Sequence, residues 1–143
     1  MKIMVSACLL GENCKYNGGN NLSPELIRLL GGHTVIPVCP EVLGGLPTPR
    51  VPAEIVNGKV MNRNGESVDE AFRKGAEKAM ETAMREKPDL IILQSRSPSC
   101  GVKEIYDGSF SGRKIPGQGI FAGLLKEAGF NVIDVEDLPE ELK

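Results

Sequence analysis

The sequence predicts a single three-layer α/β domain over residues 1–143, Rossmann-like, with a mainly parallel sheet of about four strands and a small β-hairpin insertion. Three observations carry that expectation. Short apolar runs suited to strands (KIMVSA, HTVIPVC, LIIL, NVIDV) alternate with stretches of helical periodicity, the pattern of a parallel sheet covered by helices. The run Leu90–Leu93 is apolar without a break, as in a strand buried on both faces. Cysteines end three of the strand-like stretches, KIMVSAC, HTVIPVC and LIILQSRSPSC. In open α/β sheets the residues just past the strands' carboxyl ends converge on one edge, where ligands bind.

The elements follow in order. Lys2–Ala7 reads as a buried strand, followed by the turn-rich loop GENCKYNGGNN. Ser23-Pro24 supplies an N-cap and a first-turn proline for a helix over Pro24–Leu30, which Gly31-Gly32 ends. His33–Cys39 is the second strand, and the prolines and glycines after it make the backbone stiff and irregular. Asn57-Gly58, between Ile55-Val56 and Val60-Met61, marks a hairpin over Glu54–Asn62. Ser67 and Glu70 form a capping-box pattern ahead of a long helix. Its core face is Val68, Phe72, Ala76, Ala79, Ala83 and Met84, and Pro88 stops it. After the Leu90–Leu93 strand, Tyr106–Gln118 reads as a surface loop or small hairpin. A last helix carries Ile120, Phe121, Leu124, Leu125 and Ala128 and closes at Gly129, ahead of a strand over Asn131–Val135.

Composition narrows the function classes. The 143 residues are 41% hydrophobic and 25% charged, which suits a soluble globular domain with a sizeable core. A net charge of −2 gives no support for a nucleic-acid or anionic-membrane surface. With no long apolar run and no signal-like start, the expected location is the cytoplasm. Thiols stay reduced there, so metal binding or catalysis is expected of the four cysteines rather than disulfides.

Any one cysteine is more often a small buried hydrophobe than a ligand. Cys8, Cys14, Cys39 and Cys100 all fall in loops or at strand ends, which favours a shared site for a thiophilic metal. Neither the paired spacing of zinc ribbons nor a ferredoxin run is present, so spacing leaves the metal open. Three readings stand: an iron–sulfur enzyme, a non-catalytic zinc-binding domain closed by all four cysteines, and a sulfur carrier with a persulfide on Cys14 or Cys100.

Four ordered motifs spread over essentially the whole chain carry a resemblance: VSACLLGENCKYNG, PVCPEVLGGLPTPR, SRSPSCG and GQGIFAGLLKEAGF. The sequence resembles the domain-of-unknown-function 523 family, which includes thiouracil desulfidases. The resemblance implies non-redox removal of sulfur from a thiolated nucleobase, nucleoside or related thiocarbonyl compound, with release of sulfide. It implies a [4Fe–4S] cluster held by three cysteines, with one iron left open to the substrate's sulfur. By motif, Cys8, Cys39 and Cys100 are the implied ligands. Cys14 matches a further family cysteine and is left as a second-shell group, replacement ligand or persulfide carrier. Glu41, the acid of CPE, and Ser97, the first serine of SPSC, are the implied catalytic residues. Many desulfidases of the family carry an additional C-terminal domain that has no counterpart in this sequence. A small thiolated substrate is the expected partner, with no stable nucleic-acid partner and no membrane.

The same residues have plainer roles to play. Glu41 suits the first turn of a short helix after Pro40, where acids are favoured. Ser97 and Ser99 flank Pro98 and can bond turn backbone. His33, the one histidine, starts a strand and reads as structural. Arg50 and Arg96 could grip an anionic substrate group or form ion pairs. The glycines of GENCKYNGG and GQG could present N–H groups to a ligand, although neither matches a phosphate-loop fingerprint.

Overall fold

Four apolar segments pair as a parallel sheet in a computed structural model that describes residues 1–139; the last four residues of the expected 1–143 domain lie outside the described residues. In chain order the elements are β1 (Lys2–Ser6), α1 (Pro24–Leu29), β2 (Thr34–Val38), α2 (Pro40–Leu43), β3 (Ala53–Val56), β4 (Lys59–Asn62), α3 (Asp69–Glu86), β5 (Leu90–Leu93), β6 (Glu104–Tyr106), β7 (Lys114–Pro116), α4 (Ile120–Glu127) and β8 (Val132–Asp134). The main sheet runs β2-β1-β5-β8, all parallel, with Ile3 opposite Val35 and Met4 opposite Ile91. Among the described residues no helix is long and apolar enough to cross a membrane.

Alternation along the strands sorts the core into two layers. Met4, Ile91 and Leu93 face α3 and α4, where Ala76, Ala79, Ala83, Phe121 and Leu125 meet them. Ile3, Val5, Leu90 and Ile92 face the other way, against Leu9, Leu26 and Leu30. Each fully buried isoleucine or leucine contributes about 2 kcal/mol by leaving water, which is why β5 needs no polar face. The three-layer arrangement is the one the sequence predicts.

Local signals account for most of the boundaries. Ser23 Oγ accepts the Leu26 N–H at 3.3 Å and caps α1. Asn57 and Gly58 have φ of 50° and 80°, the left-handed pair that a tight hairpin turn requires. A second hairpin, β6–β7, occupies the segment left open between loop and hairpin.

Two expectations fail at α3. The capping box does not form: the N-cap is Val68, with no side-chain cap. Ser67 is instead held in a bridge with Met61, and the Asp69 carboxylate takes the Val60 N–H at 3.0 Å and pairs with Arg73. The helix start is therefore stitched to the β3–β4 hairpin, and those tertiary bonds replace the local cap. Met84 is 58% exposed, because it lies one position past Ala83 and so a quarter-turn off the buried stripe.

Helix α2 is held unusually close to α3. A Cβ built on Gly75 would lie 1.8 Å from the Pro40 carbonyl oxygen, and one on Gly44 would lie 2.1 Å from that of Ala71. Backbone meets backbone there, and the contact fixes the short helix that follows Cys39. Gly75→Ala is therefore expected to destabilise the fold by about 1–3 kcal/mol through overpacking, despite alanine's better helix propensity. Gly123→Ala in α4, whose Cβ would meet only Gln118 Oε1 at 3.6 Å, is the control and should be neutral or stabilising. Urea unfolding of both variants checks this; equal stability would contradict the close packing.

Candidate active site

The strand order reverses at β1: the chain goes first to β2 on one side, then crosses to β5 on the other. The carboxyl end of β1 is thus the switch point where open α/β sheets form a ligand crevice. Cys8 lies in the 3-10 turn Ala7–Leu10 directly after β1, Cys39 is the N-cap residue of α2 after β2, and Cys100 follows the turn after β5. All three line one cavity of about 810 Å³, together with Cys14, Glu41, Arg50 and Ser97. None of the four cysteines is in a disulfide.

Main-chain bonds set each cysteine. The Cys8 carbonyl accepts N–H bonds from Gly11 at 3.3 Å and Asn21 at 2.9 Å, so the Gly-rich loop folds back over its own origin. Cys100 sits in a turn built on Ser97, whose Oγ accepts the N–H groups of Ser99 and Cys100 at 3.0 Å each. The first N–H groups of α4 are spent on the same turn: Ile120 donates to Pro98 O at 2.8 Å and Phe121 to Ser99 O at 3.0 Å. Gly119 is required there, since its Cβ would meet the Ser99 carbonyl at 2.5 Å. The GQG glycines donate to Lys103 and Gly101 carbonyls, so they hold the turn rather than presenting N–H groups to a ligand.

Glu41 reaches the thiols from the first turn of α2. Ser97 Oγ donates to its Oε1 at 3.2 Å, and Arg50 pairs with its Oε2. Ser97 therefore has both the turn role and contact with the acid. Arg50 is buried in that ion pair and does not grip solvent-borne anions freely. Arg96, at a left-handed φ of 62°, pairs with Glu104 and Glu136 at 2.9 and 3.0 Å, on a partly exposed ion network. His33 Nδ1 meets the N-terminal amine at 3.0 Å, away from the cavity lining. Two neighbours escaped the sequence reading. Ser6, at the end of β1, hydrogen-bonds the Cys100 thiol side and takes the Gln94 N–H at 2.9 Å. Asn21 bonds the Cys8 thiol. Ser6 did carry a signal, a polar residue closing an apolar strand beside a cysteine; Asn21 carried none.

Burial dominates the electrostatics of the cavity. Burial pushes the Cys8 thiol up to about 11, with added repulsion from Cys39 and Glu41. Burial also pushes Cys14 up to about 12, with Cys39 next in effect. Cys100 is pushed up by burial too, against a hydrogen bond from Ser6, with Glu41, Cys8 and Cys39 repelling its thiolate. Such thiols are poor nucleophiles by themselves, which disfavours a metal-free persulfide carrier. A cation bound among them reverses that balance, since a coordinated thiol is deprotonated outright. Among the described residues no three His, Cys, Asp or Glu groups are placed to hold a single metal ion. Three soft thiol donors lining one roomy cavity are the chemistry that an iron–sulfur cluster takes.

Comparison with known proteins decides the family. The profile of a family described as 2-thiouracil desulfurase matches residues 3–137. The chain belongs to that family. Membership makes it an enzyme that removes sulfur from a thiolated pyrimidine. A solved structure titled [4Fe–4S]-dependent thiouracil desulfidase TudS is 40% identical, with a TM-score of 0.90 over 97% of this chain and 93% of that one. The uncharacterized protein YbbK of Bacillus subtilis (strain 168) is 41% identical over 98% of this chain and 99% of its own length.

Because the Cys100 turn leans on the α4 N-terminus, Gly119→Ala should loosen it without removing any thiol. Cys100 is 6% exposed, and in protein prepared without iron it should label slowly with a neutral thiol reagent. The variant is expected to label faster at Cys100, read by mass spectrometry, and to melt lower; unchanged labelling would show that the turn stands without that contact.

Proposed function

We propose that this desulfurase, like its solved relative, works with a [4Fe–4S] cluster, that Cys8, Cys39 and Cys100 hold it, and that one iron stays open to substrate. The observation that carries the reading is the convergence of these three thiols, from the ends of three adjacent strands, on one cavity. When bound, the cluster supplies a thiophilic Lewis acid for the substrate's sulfur. The substrate is a small thiolated pyrimidine or nucleoside, for which a cavity of about 810 Å³ is ample. The chain acts as one domain in the reduced cytoplasm, where four free thiols persist.

The chain's own groups handle the protons. Glu41 Oε1 accepts a proton from the water that adds to the thiocarbonyl carbon, and returns it as sulfur departs. Ser97 Oγ, 3.2 Å from that oxygen, orients it and passes a proton across. A thiocarbonyl compound and water become a carbonyl compound and sulfide, so no electrons are consumed. The mostly apolar walls of the cavity, including Val38, Pro40, Val51 and Phe72, limit competing water.

Anaerobic reconstitution tests the ligand set. Cys→Ser changes at Cys8, Cys39 and Cys100 should each abolish or severely weaken cluster retention, judged by iron and sulfide analysis, while Cys14→Ser should be milder. Loss of iron in Cys14→Ser beside full retention in one of the other three overturns the assignment.

Kinetics test the acid. Glu41→Gln and Ser97→Ala should keep the visible spectrum and lower desulfuration of 2-thiouracil, by ~10²–10⁴-fold for Glu41. Wild-type turnover in both returns them to structural roles.

A further inference from the structure

We propose that Arg50 is a positioning residue of this reaction: it holds the Glu41 carboxylate in one orientation beside the thiols and ties it to the Cys14 loop. The inference rests on the proton-transfer reading of Glu41 given above. Four acceptors converge on the guanidinium. Nη1 donates to Pro47 O and Thr48 Oγ1 at 3.1 Å each, and Nη2 donates to Cys14 O at 2.9 Å and to Glu41 Oε2. The Arg50 side chain is only 7% exposed, and Glu41 is its one ionic partner among the described residues.

A buried guanidinium is tolerated when its donors are met and its charge is countered. Here three neutral oxygens, two of them main-chain, set the plane of the fork. The socket is therefore built by the chain, and the carboxylate fits into it. Glu41 needs such a socket for two reasons. Its side chain is long and flexible, and Ser97 alone offers a single neutral hydrogen bond. It is also only 16% exposed, and a carboxylate taken out of water is costly unless it is paired. A charge-assisted bond is roughly twice as strong as a neutral one. With Oε2 taken by Arg50, Oε1 is the oxygen left to Ser97 and the substrate side of the cavity.

The same contacts assign a part to Cys14 that its thiol does not play. Its carbonyl accepts Arg50 Nη2 at 2.9 Å. The main chain at Cys14 is thus one wall of the socket. Substituting its side chain leaves that link intact.

The test uses anaerobically loaded enzyme with 2-thiouracil, and variants Arg50→Met, Arg50→Lys, Glu41→Gln and the double Arg50→Met/Glu41→Gln. Iron content and the visible spectrum are read beside kcat and KM. Displacing a reacting group by about 1 Å can cost ~10²-fold, so Arg50→Met should lower kcat on that order, with KM and iron content near wild type. Arg50→Lys, which keeps the charge but not the fork, should recover part of the loss. In the Glu41→Gln background, Arg50→Met should change kcat by no more than about twofold, because coupled residues are not additive. Wild-type kcat in both Arg50 variants, a loss carried by KM alone, or losses that multiply in the double variant would overturn the proposal. If Arg50→Met fails to fold or to hold iron, Arg50→Lys decides. Partial kcat at full iron content supports positioning, and iron loss in Arg50→Lys as well makes Arg50 a scaffold of the ligand loops and overturns it. A fully active Glu41→Gln sinks the reading of Glu41 itself, whereas an impaired Glu41→Gln beside unaffected Arg50 variants sinks this inference alone.

Discussion

Three thiols and a carboxylate share one end of one sheet, and gathering them there is the constraint around which the rest of the structure is arranged. Burial pushes the Cys8 and Cys100 thiols upward, with Cys39 and Glu41 adding to it at Cys8, and Glu41, Cys8 and Cys39 at Cys100. Side chains from four distant segments stay in register only if their backbones are held. The fold answers with rigid backbone: parallel strands that end side by side, a short helix pinned to α3 at Gly75 and Gly44, and a turn anchored on the first N–H groups of α4. It also answers with charge, through Arg50. The space among the sulfurs is the place iron takes in this reading.

The architecture explains why the three cysteines of the proposed ligand set are so far apart in sequence. Helical crossovers between parallel strands need a dozen residues or more, so adjacent strand ends belong to distant segments. Cys8, Cys39 and Cys100 are brought together by the crossing of the chain from one side of β1 to the other. A compact motif such as a zinc ribbon carries its ligands as two closely spaced pairs. Here the sheet edge does that job, and the loops between serve to shape the cavity. Glu54 illustrates this: its buried carboxylate accepts the N–H groups of Gly108 and Phe110 at 2.9 and 3.1 Å, fixing the loop that places Phe110 on the cavity wall.

Much of this was legible in the sequence because burial and turn chemistry act locally. Leu90–Leu93 suited a strand covered on both sides, Asn57-Gly58 gave a good hairpin signal, and cysteines at strand ends pointed to a common edge. What escaped depends on contacts between distant segments. Ser67 and Glu70 spelled a capping box, yet the hairpin claimed Ser67 and supplied its own bonds through Asp69. Met84 matched the helical stripe by residue type and missed it by angle. Arg50 and Ser97 were visible as candidates with two roles each. Only their spatial partners show that Arg50 is committed to Glu41 and that Ser97 serves turn and acid together. Asn21 had no mark at all, since nothing in a polar loop distinguishes the residue that will meet a thiol.

Mössbauer spectroscopy of the protein loaded with isotopically enriched iron, before and after addition of 2-thiouracil, tests the central claim most directly. The account expects four irons per chain, with one distinguishable from the other three and that one alone shifting when the thiocarbonyl compound is added, because three thiolates leave one corner without a protein sulfur. Four irons that remain equivalent and indifferent to 2-thiouracil, or a single bound metal ion, would contradict it.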